Sequence, residues 1–364
     1  MSEPHAPSSP RVLLAGGYGV VGAQVARLLR RYHPELRLVI AGRTAKRAHA
    51  LAQEVGNAEA TVLDTGDADP LAGIDGPFDA VIGLVHDADD RLLRAAIRRK
   101  AAYADITRGV AAQARAFVSA ALESPVRPVL FASNWMAGVP ATLALHAAKG
   151  LSSIETIALS ILFDQRDLTG PDSADASSDI GAPFVARTNG AWTTVPPMSA
   201  SGRIRFPSGR TRRVYRMNMA DVTTLAQATG ARDVLVRIGL DSDFAAASMR
   251  ALIRLGLWNL VQSSMKGGAN PAHNPKAKGA AHEIVIDIAG RDGGGPAKRR
   301  VTILDPRGQA HLTALGATYS VARVLGLSGA ALRPGIAVPE TDPDAARLLH
   351  LLDAEGVETA FTPS

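Results

Sequence analysis

The segment LLAGGYGVVG, residues 13–22, places three glycines at the spacing Gly17-x-Gly19-x-x-Gly22 directly after an apolar run. Because glycine has no Cβ, such a turn lets the backbone approach a phosphate closely. We expect Gly17 to make the tight turn, Gly19 to face a pyrophosphate, and Gly22 to let the next helix pack closely on the strand. The N–H groups and positive dipole at the start of that helix would then face the phosphates. The predicted contacts are Gly17, Tyr18, Gly19, Val20, Val21 and Gly22. The turn thus predicts a dinucleotide site; the alternative is that the glycines only serve turn geometry.

The end of the second strand bears on which dinucleotide binds. Proteins that bind NAD place an acidic residue there, about 20 residues further on, to accept the ribose 2′-OH. In this chain the strand ends in Gly42 and Arg43, with Lys46 and Arg47 one turn later. An acid would repel a 2′-phosphate, whereas a guanidinium can bind it through two hydrogen bonds. The pattern therefore favours NADPH, with Arg43 and Lys46 as contacts, although these residues could also form an ordinary solvated helix start.

Two different patterns of elements must position these residues. From residue 11 to about residue 133, apolar strand segments alternate with helical ones, which predicts a doubly wound parallel sheet of the Rossmann type. From about residue 154 short strands are separated by loops instead of helices, and residues 282–290 and 299–305 suggest a hairpin with a long tip. Helical stretches recur at 243–265 and 316–327. The expected fold class is α/β: a Rossmann domain plus an α+β domain with a mainly antiparallel sheet.

The expected organisation has four parts. They are a disordered lead-in at 1–10, the Rossmann domain at 11–135, an α+β substrate and dimerisation domain at 136–315, and a C-terminal segment at 316–364 that packs back across the domain junction. Residues 264–279 hold three lysines and three glycines. They suggest either a lid over a carboxylate substrate or an exposed linker.

Composition excludes several classes of protein. The 364 residues include no cysteine, which rules out a disulfide framework, a thiolate nucleophile and a Cys-ligated metal, and no other metal site is predicted. The formal net charge is +6, but the arginines are spread along the chain, so we expect no nucleic-acid partner. No apolar run reaches the roughly 18 residues of a membrane span. We therefore expect a cytoplasmic protein without a membrane partner.

Several stretches of the sequence together resemble saccharopine dehydrogenase-like (saccharopine reductase) proteins. They are LLAGGYGVVGAQVARLL, LVIAGRTAKRAHALA, VLDTGD, AYADITRG at 102–109, FPSGRTRRVYRMNMAD, and PGIAVPETDPDAARLLHLLDAEGVE near the C-terminus. The resemblance implies a Rossmann cofactor domain and an α+β domain that carries the substrate pocket and often the dimer contact. It also implies NAD(P)-linked hydride transfer to or from a C–N bond, as with saccharopine, opine and carboxyspermidine-type substrates. By position, Asp64 and Thr65 would line the adenine side, and Leu84 and Val85 would border the nicotinamide half.

The catalytic residues are less clearly indicated. Reduction of an imine needs little general acid catalysis, because an iminium can form already protonated. We name Tyr103, Asp105 and Asn134 as candidates, with Tyr103 or Asp105 able to handle a proton. Asp105 could equally be a strand-end acid that caps the next turn.

These patterns lead to one expectation of function and two alternatives. The expectation is an NADPH-dependent oxidoreductase that acts on an amino acid-derived imine or its secondary-amine product, with a small carboxylate-bearing substrate and a homodimeric assembly. One alternative is a carbonyl reductase with Tyr103 as proton donor. The other is a non-catalytic NADP(H)-binding regulatory or partner protein.

Overall fold

The structure is a computed structural model, and it describes residues 9–164, 166–167, 181–258, 279–327, 329 and 331–363. The chain forms two compact units. The first comprises Met1–Ala132 and Ala317–Ala337, and the second comprises Ser133–Gly316 and Val338–Ser364. Nearly all of the lead-in expected at 1–10 and of the lid or linker expected at 264–279 lies outside the described residues.

The first unit is built on a seven-stranded parallel sheet. Its strands are β1 (Arg11–Ala15), β2 (Arg37–Gly42), β3 (Ala58–Val62), β4 (Ala80–Gly83), β5 (Ala102–Asp105), β6 (Pro128–Phe131) and, from the C-terminal part of the chain, β15 (Gly335–Ala337). The helices between them are α1 (Val20–Tyr32), α2 (Ala45–Val55), α3 (Arg91–Arg98) and α4 (Val110–Glu123). The strand order is β15-β6-β5-β4-β1-β2-β3, which confirms the doubly wound prediction.

The strand sequences explain the burial of this sheet. β1, β2 and β4 are almost continuous apolar runs, as expected for parallel strands that are covered on both faces. Their side chains are buried together with one face each of α3 and α4, and α1 contributes an apolar stripe that includes Val25, Leu28 and Leu29. This core fixes the carboxyl ends of the strands, where the glycine turn lies.

The second unit contains a mixed seven-stranded sheet in the order β10-β11-β12-β7-β13-β14-β16, and β12 and β7 are its parallel pair. Its strands are β7 (Ser153–Phe163), β10 (Gly202–Arg205), β11 (Thr211–Arg216), β12 (Asp233–Leu240), β13 (His282–Asp292), β14 (Gly295–Asp305) and β16 (Glu358–Pro363), and β8 (Phe184–Thr188) pairs separately with β9 (Ala191–Val195). Its helices are α5 (Val139–Ala148), α6 (Ala220–Thr229), α7 (Asp243–Arg254) and α9 (Ala345–Ala354), and the division between the units falls within α8 (Gln309–Leu325). The α+β prediction is confirmed.

Three details of the second half differ from the sequence-based expectation. The hairpin has no long tip, because β13 and β14 stay paired as far as Asp292 and Gly295 and only two glycines connect them. Helix α6 lies where only strands and loops were expected. Helix α8 begins at Gln309, several residues before the helix expected at 316–327. In the part of the chain that the structure describes, no helix is long and apolar enough to cross a membrane.

Candidate functional site

The turn between β1 and α1 is built from glycines for steric reasons that the structure makes visible. Gly16 has a φ of 81°, a left-handed backbone that favours glycine, and its carbonyl accepts a hydrogen bond from the N–H of Gly19 at 2.9 Å. A Cβ on Gly22 would lie 2.3 Å from the Gly16 oxygen, and one on Gly17 would lie 2.8 Å from the Leu14 oxygen. The positive φ therefore belongs to Gly16 rather than to Gly17, whereas Gly22 does allow α1 to pack closely on the turn.

Gly19 differs from these glycines because it borders open space. A Cβ on Gly19 would meet a single backbone oxygen, at 3.2 Å, and Gly19 itself is the N-cap of α1. The N–H groups of Val20, Val21 and Gly22 precede the first hydrogen bond within the helix, and the first turn carries no acidic residue. A helix start of this kind binds anions. The start of α1 therefore fits a pyrophosphate held by backbone N–H groups.

Tyr18 connects the glycine turn to the end of β2. Its hydroxyl accepts a hydrogen bond from the N–H of Thr44 at 2.8 Å, and a Cβ on Gly42 would lie 2.6 Å from its ring. The guanidinium of Arg47 lies 4.7 Å from the centre of the ring and donates to the Tyr18 carbonyl at 3.3 Å. These contacts hold the glycine turn against the basic segment that follows β2. Sequence reasoning missed this link, for which the aromatic residue in the turn and Gly42 were the available signals.

The two basic residues expected at the 2′-phosphate have different surroundings. Arg43 is exposed, and its guanidinium makes no hydrogen bond or ion pair with any residue that the structure describes. Lys46 lies along a cavity of about 360 Å³ between α2 and β3. That cavity is lined by Ala45, Lys46, His49, Ala60, Thr61 and Val62. Arg43 is thus directly available to an anion beside Thr44, while Lys46 faces this cavity.

The remaining predicted cofactor contacts also lie at the carboxyl ends of the strands. Asp64 closes the turn after β3 by accepting a backbone N–H at 2.9 Å, and Thr65 donates to a backbone carbonyl after β4 at 2.9 Å. Leu84 and Val85 follow β4, and a Cβ on Gly16 would lie 2.9 Å from the oxygen of the first and from the Cβ of the second. Leu84 and Val85 therefore stand directly against the glycine turn.

Tyr103 and Asp105 belong to a buried charge cluster around Arg108. The Arg108 side chain is only 2% exposed and forms ion pairs with Asp87, at 3.2 Å, and with Asp90 and Asp105. Tyr103 is fully buried in the core, and burial raises the pKa of its hydroxyl well above the ordinary value. A proton donor must reach its substrate, so this placement does not support Tyr103, and Asp105 is committed to Arg108. The sequence did not identify Asp87 and Asp90 as the other partners.

Asn134, the third catalytic candidate, belongs to the second unit. It is 5% exposed, and its Nδ2 donates to Thr224 Oγ1 at 2.8 Å and to Glu340 Oε1 at 3.3 Å. The Thr224 hydroxyl in turn donates to Glu340 at 2.6 Å. Since an amide does not titrate, Asn134 can orient neighbours through hydrogen bonds but cannot supply a proton.

A second buried group follows directly after Asn134. The Trp135 N–H donates to Asp221 Oδ2 at 2.9 Å, and its indole N–H donates to His282 Nε2 at 3.1 Å. Burial raises the pKa of Asp221 to about 6 and lowers the pKa of His282 to about 3. Met136 and Ala137, which come next, have left-handed backbones with φ of 48° and 52°. Sequence reasoning missed Asp221 because it missed α6, the helix that carries it.

Comparison with known proteins relates this geometry to a family. Residues 12–127 match the family model described as the saccharopine dehydrogenase NADP binding domain. The match covers β1 to the residues just before β6, and so includes the glycine turn and Arg43. Comparison with curated protein sequences finds no match.

Solved structures similar to this chain include several dehydrogenases. Saccharopine dehydrogenase (L-Glu forming) from Saccharomyces cerevisiae is 15% identical with a TM-score of 0.67, over 98% of this chain and 100% of that one. C. glutamicum DAP dehydrogenase in complex with DAP is 12% identical with a TM-score of 0.45, over 96% and 99% of the two chains. A myo-inositol dehydrogenase from Corynebacterium glutamicum is 13% identical with a TM-score of 0.44, over 98% and 100%.

The family match, the yeast structure and the glycine turn agree on the first unit. The expectations of a Rossmann fold and of a nicotinamide cofactor are confirmed. Residues 12–127 thus match an NADP-binding domain of the saccharopine dehydrogenase kind, and the chain as a whole has a fold similar to that of the yeast saccharopine dehydrogenase.

Proposed function

We propose that the protein is an NADPH-dependent oxidoreductase that transfers hydride at a C–N bond, between an imine and a secondary amine derived from an amino acid. The observation that carries this proposal is the arrangement at the end of β2. There an exposed Arg43, without an ion pair to any described residue, takes the place of the acid that would bind the ribose of NADH. The resemblance to saccharopine dehydrogenase-like proteins supports the choice of a C–N bond.

The residues of the first unit have separate roles in this proposal. The backbone around Gly19 would hold the pyrophosphate, Arg43 the 2′-phosphate, and Leu84 and Val85 would border the nicotinamide half. The bound cofactor supplies the hydride. Because an iminium carries its proton before hydride arrives, the reaction needs no acid from this unit. This agrees with the burial of Tyr103 in the core.

The same burial weakens the carbonyl-reductase alternative, since that chemistry needs a donor that contacts the new alkoxide. The carboxylate-bearing substrate, the homodimer and the cytoplasmic location remain part of the proposal.

The test is to determine which reactants the enzyme needs in order to oxidise NADPH. NADPH oxidation is followed with a panel of 2-oxo acids plus amino acids, and with each reactant alone. Turnover that needs both reactants, and that is lost in Gly19→Val, supports the proposal. Turnover with a carbonyl compound alone indicates the carbonyl reductase. Tight NADPH binding without turnover across the panel indicates a binding protein.

A further inference from the structure

One face of the sheet in the second unit carries a row of three polar side chains on neighbouring strands. Arg216 on β11 lies opposite Arg237 on β12, and Arg237 lies beside Ser160 on β7. Residues paired in register point to the same face of a sheet, with Cβ atoms about 5 Å apart across an antiparallel pair. The three side chains, which we call the Arg216 row, therefore lie side by side.

The groups of the Arg216 row have no partners among the residues that the structure describes. Arg216 is 7% exposed and Ser160 is fully buried, while Arg237 is half-buried. Neither guanidinium forms a hydrogen bond or an ion pair within the described ranges, and the Nε atoms of both arginines and the Ser160 hydroxyl are buried without a partner. A buried cation without a partner is costly, and two like charges directly opposite each other repel.

Nearby acids do not compensate for this charge. Asp287, one row away on β13, forms its ion pair with Arg300 at 2.6 Å. Burial lowers the pKa of both arginines and outweighs the opposing effect of Asp233 at Arg216 and of Asp287 at Arg237, where the adjacent Arg216 lowers the pKa further. A Cβ on Gly202, in β10, would lie 3.1 Å from Arg237 Nη1, so the glycine lets this guanidinium lie close to the β10 backbone.

Two other arginines of this chain, one buried and one partly buried, have carboxylate partners. Arg108 is held by three carboxylates, and Arg210 pairs with Asp164 at 3.2 Å and with Glu283 at 2.7 Å. In contrast to Arg108 and Arg210, the side chains of the Arg216 row are hydrogen-bond donors that have no acceptors among the described residues. Carboxylate and phosphate groups supply only acceptors and match two guanidinium groups and a hydroxyl in charge and geometry.

We propose that the Arg216 row is an anion site that binds the carboxylate or phosphate group of a small molecule. The site lies wholly within the second unit, and the proposal goes beyond the proposed function because it needs neither the cofactor nor turnover. The two arginines would hold the anion, and Ser160 would donate a further hydrogen bond.

The test uses inorganic phosphate and succinate as probes of the full-length protein. Calorimetric titration and thermal unfolding, both against sodium chloride at equal ionic strength, are performed on the wild type and on Arg216→Met and Arg237→Met. Arg213→Met is the matched control, because Arg213 is an exposed arginine on the same strand. A folded protein that binds a ligand unfolds at a higher temperature.

We expect at least one probe to bind the wild type and to raise its unfolding temperature. Loss of one charged hydrogen-bonding partner weakens binding by roughly ten- to a hundredfold, so both row variants should lose affinity while Arg213→Met keeps it. Without anion, Arg216→Met should unfold at or above the wild-type temperature, because a buried unpaired charge is gone. If Arg216→Met does not fold, the same titrations of Arg237→Met and Ser160→Ala decide the question, and both variants should lose affinity.

Two results would overturn the proposal. One is that neither probe binds the wild type; if sedimentation then shows that Arg216→Met changes the oligomeric state, the row pairs with carboxylates of a second copy of this chain. The other is that binding is unchanged in both row variants.

Discussion

At the scale of single residues, two glycines of the same turn have different roles. Gly19→Val should fold but lose NADPH binding, because its side chain would fill the space at the helix start. Gly22→Ala should instead lower the free energy of unfolding, since its Cβ would lie 2.3 Å from the Gly16 oxygen. Calorimetric titration with NADPH and urea unfolding of both variants check this. A folded Gly19→Val that binds NADPH as the wild type does would remove the assignment of this turn.

Asp221 leads to a prediction about pH. Because burial raises its pKa to about 6 from the ordinary 3.8, the folded state keeps a proton that the unfolded state has already lost. The stability that this proton contributes is present at low pH and is lost as pH rises through about 6. The difference between the two pKa values corresponds to about 3 kcal/mol in the free energy of unfolding.

Asp221→Asn should therefore unfold at higher urea than the wild type at about pH 8, and the difference should shrink towards about pH 4. The amide keeps an oxygen that can accept the N–H of Trp135. Urea unfolding across this pH range measures the effect. A wild type that gains stability over Asp221→Asn as pH rises would contradict the assigned pKa shift.

Residues whose role depends on the backbone were predictable, whereas those that depend on tertiary contacts were not. The spacing of glycines predicted the turn, because steric exclusion of a Cβ acts over a few neighbouring residues. The burial of Tyr103 depends on strands far apart in sequence. Arg108 is only three residues from Asp105, but the other carboxylates that hold it, Asp87 and Asp90, come from the segment after β4. Nothing in the local pattern AYADITRG distinguishes a catalytic acid from one that is buried in an ion pair.

At the scale of elements, the Arg108 cluster stabilises the ends of β4 and β5 and the start of α3. Arg108→Met would remove the cation that Asp87, Asp90 and Asp105 share, and among the described residues Asp90 would keep only its ion pair with Arg115 at 3.1 Å. The loss of one partner of a buried ion pair costs about 3–5 kcal/mol. The control is Arg98→Met, which breaks an exposed pair with Glu123 and should cost at most about 1 kcal/mol. Urea unfolding of both variants measures the difference, and equal stability of the two would contradict a structural role for the cluster.

Regularity explains which elements were predictable. In the first unit β1, β2, β4 and β5 are largely buried strands that each lead into a helix, so periodicity predicted the doubly wound sheet. In the second unit helix α6 has apolar residues around much of its surface and follows a strand without a clear break. The pairing of β13 with β14 extends through charged residues to a two-residue turn, which hydrophobic patterning alone does not show.

At the scale of the whole molecule, the C-terminal part of the chain supplies one strand to each of the two seven-stranded sheets. β15 pairs with β6, and β16 pairs with β14 along six residues. Deletion of residues 358–364 should therefore lower the unfolding temperature and promote aggregation, because β14 would become an unpaired edge. Deletion of residues 363–364 alone is the control. Light scattering and calorimetry report both effects, and a full deletion as stable and monodisperse as the control would contradict the pairing.

The central claim is that this chain binds NADPH through Arg43, and the most direct test is the dissociation constant of NADPH and of NADH for the wild type and Arg43→Ala. A charged hydrogen bond is worth about 1.5–3 kcal/mol, or roughly ten- to a hundredfold in affinity. We predict that Arg43→Ala weakens NADPH by that factor, that Arg43→Lys falls between, and that NADH is unchanged because it lacks the 2′-phosphate. Equal affinity of the wild type for the two cofactors, or an equal loss of both in Arg43→Ala, would contradict the claim.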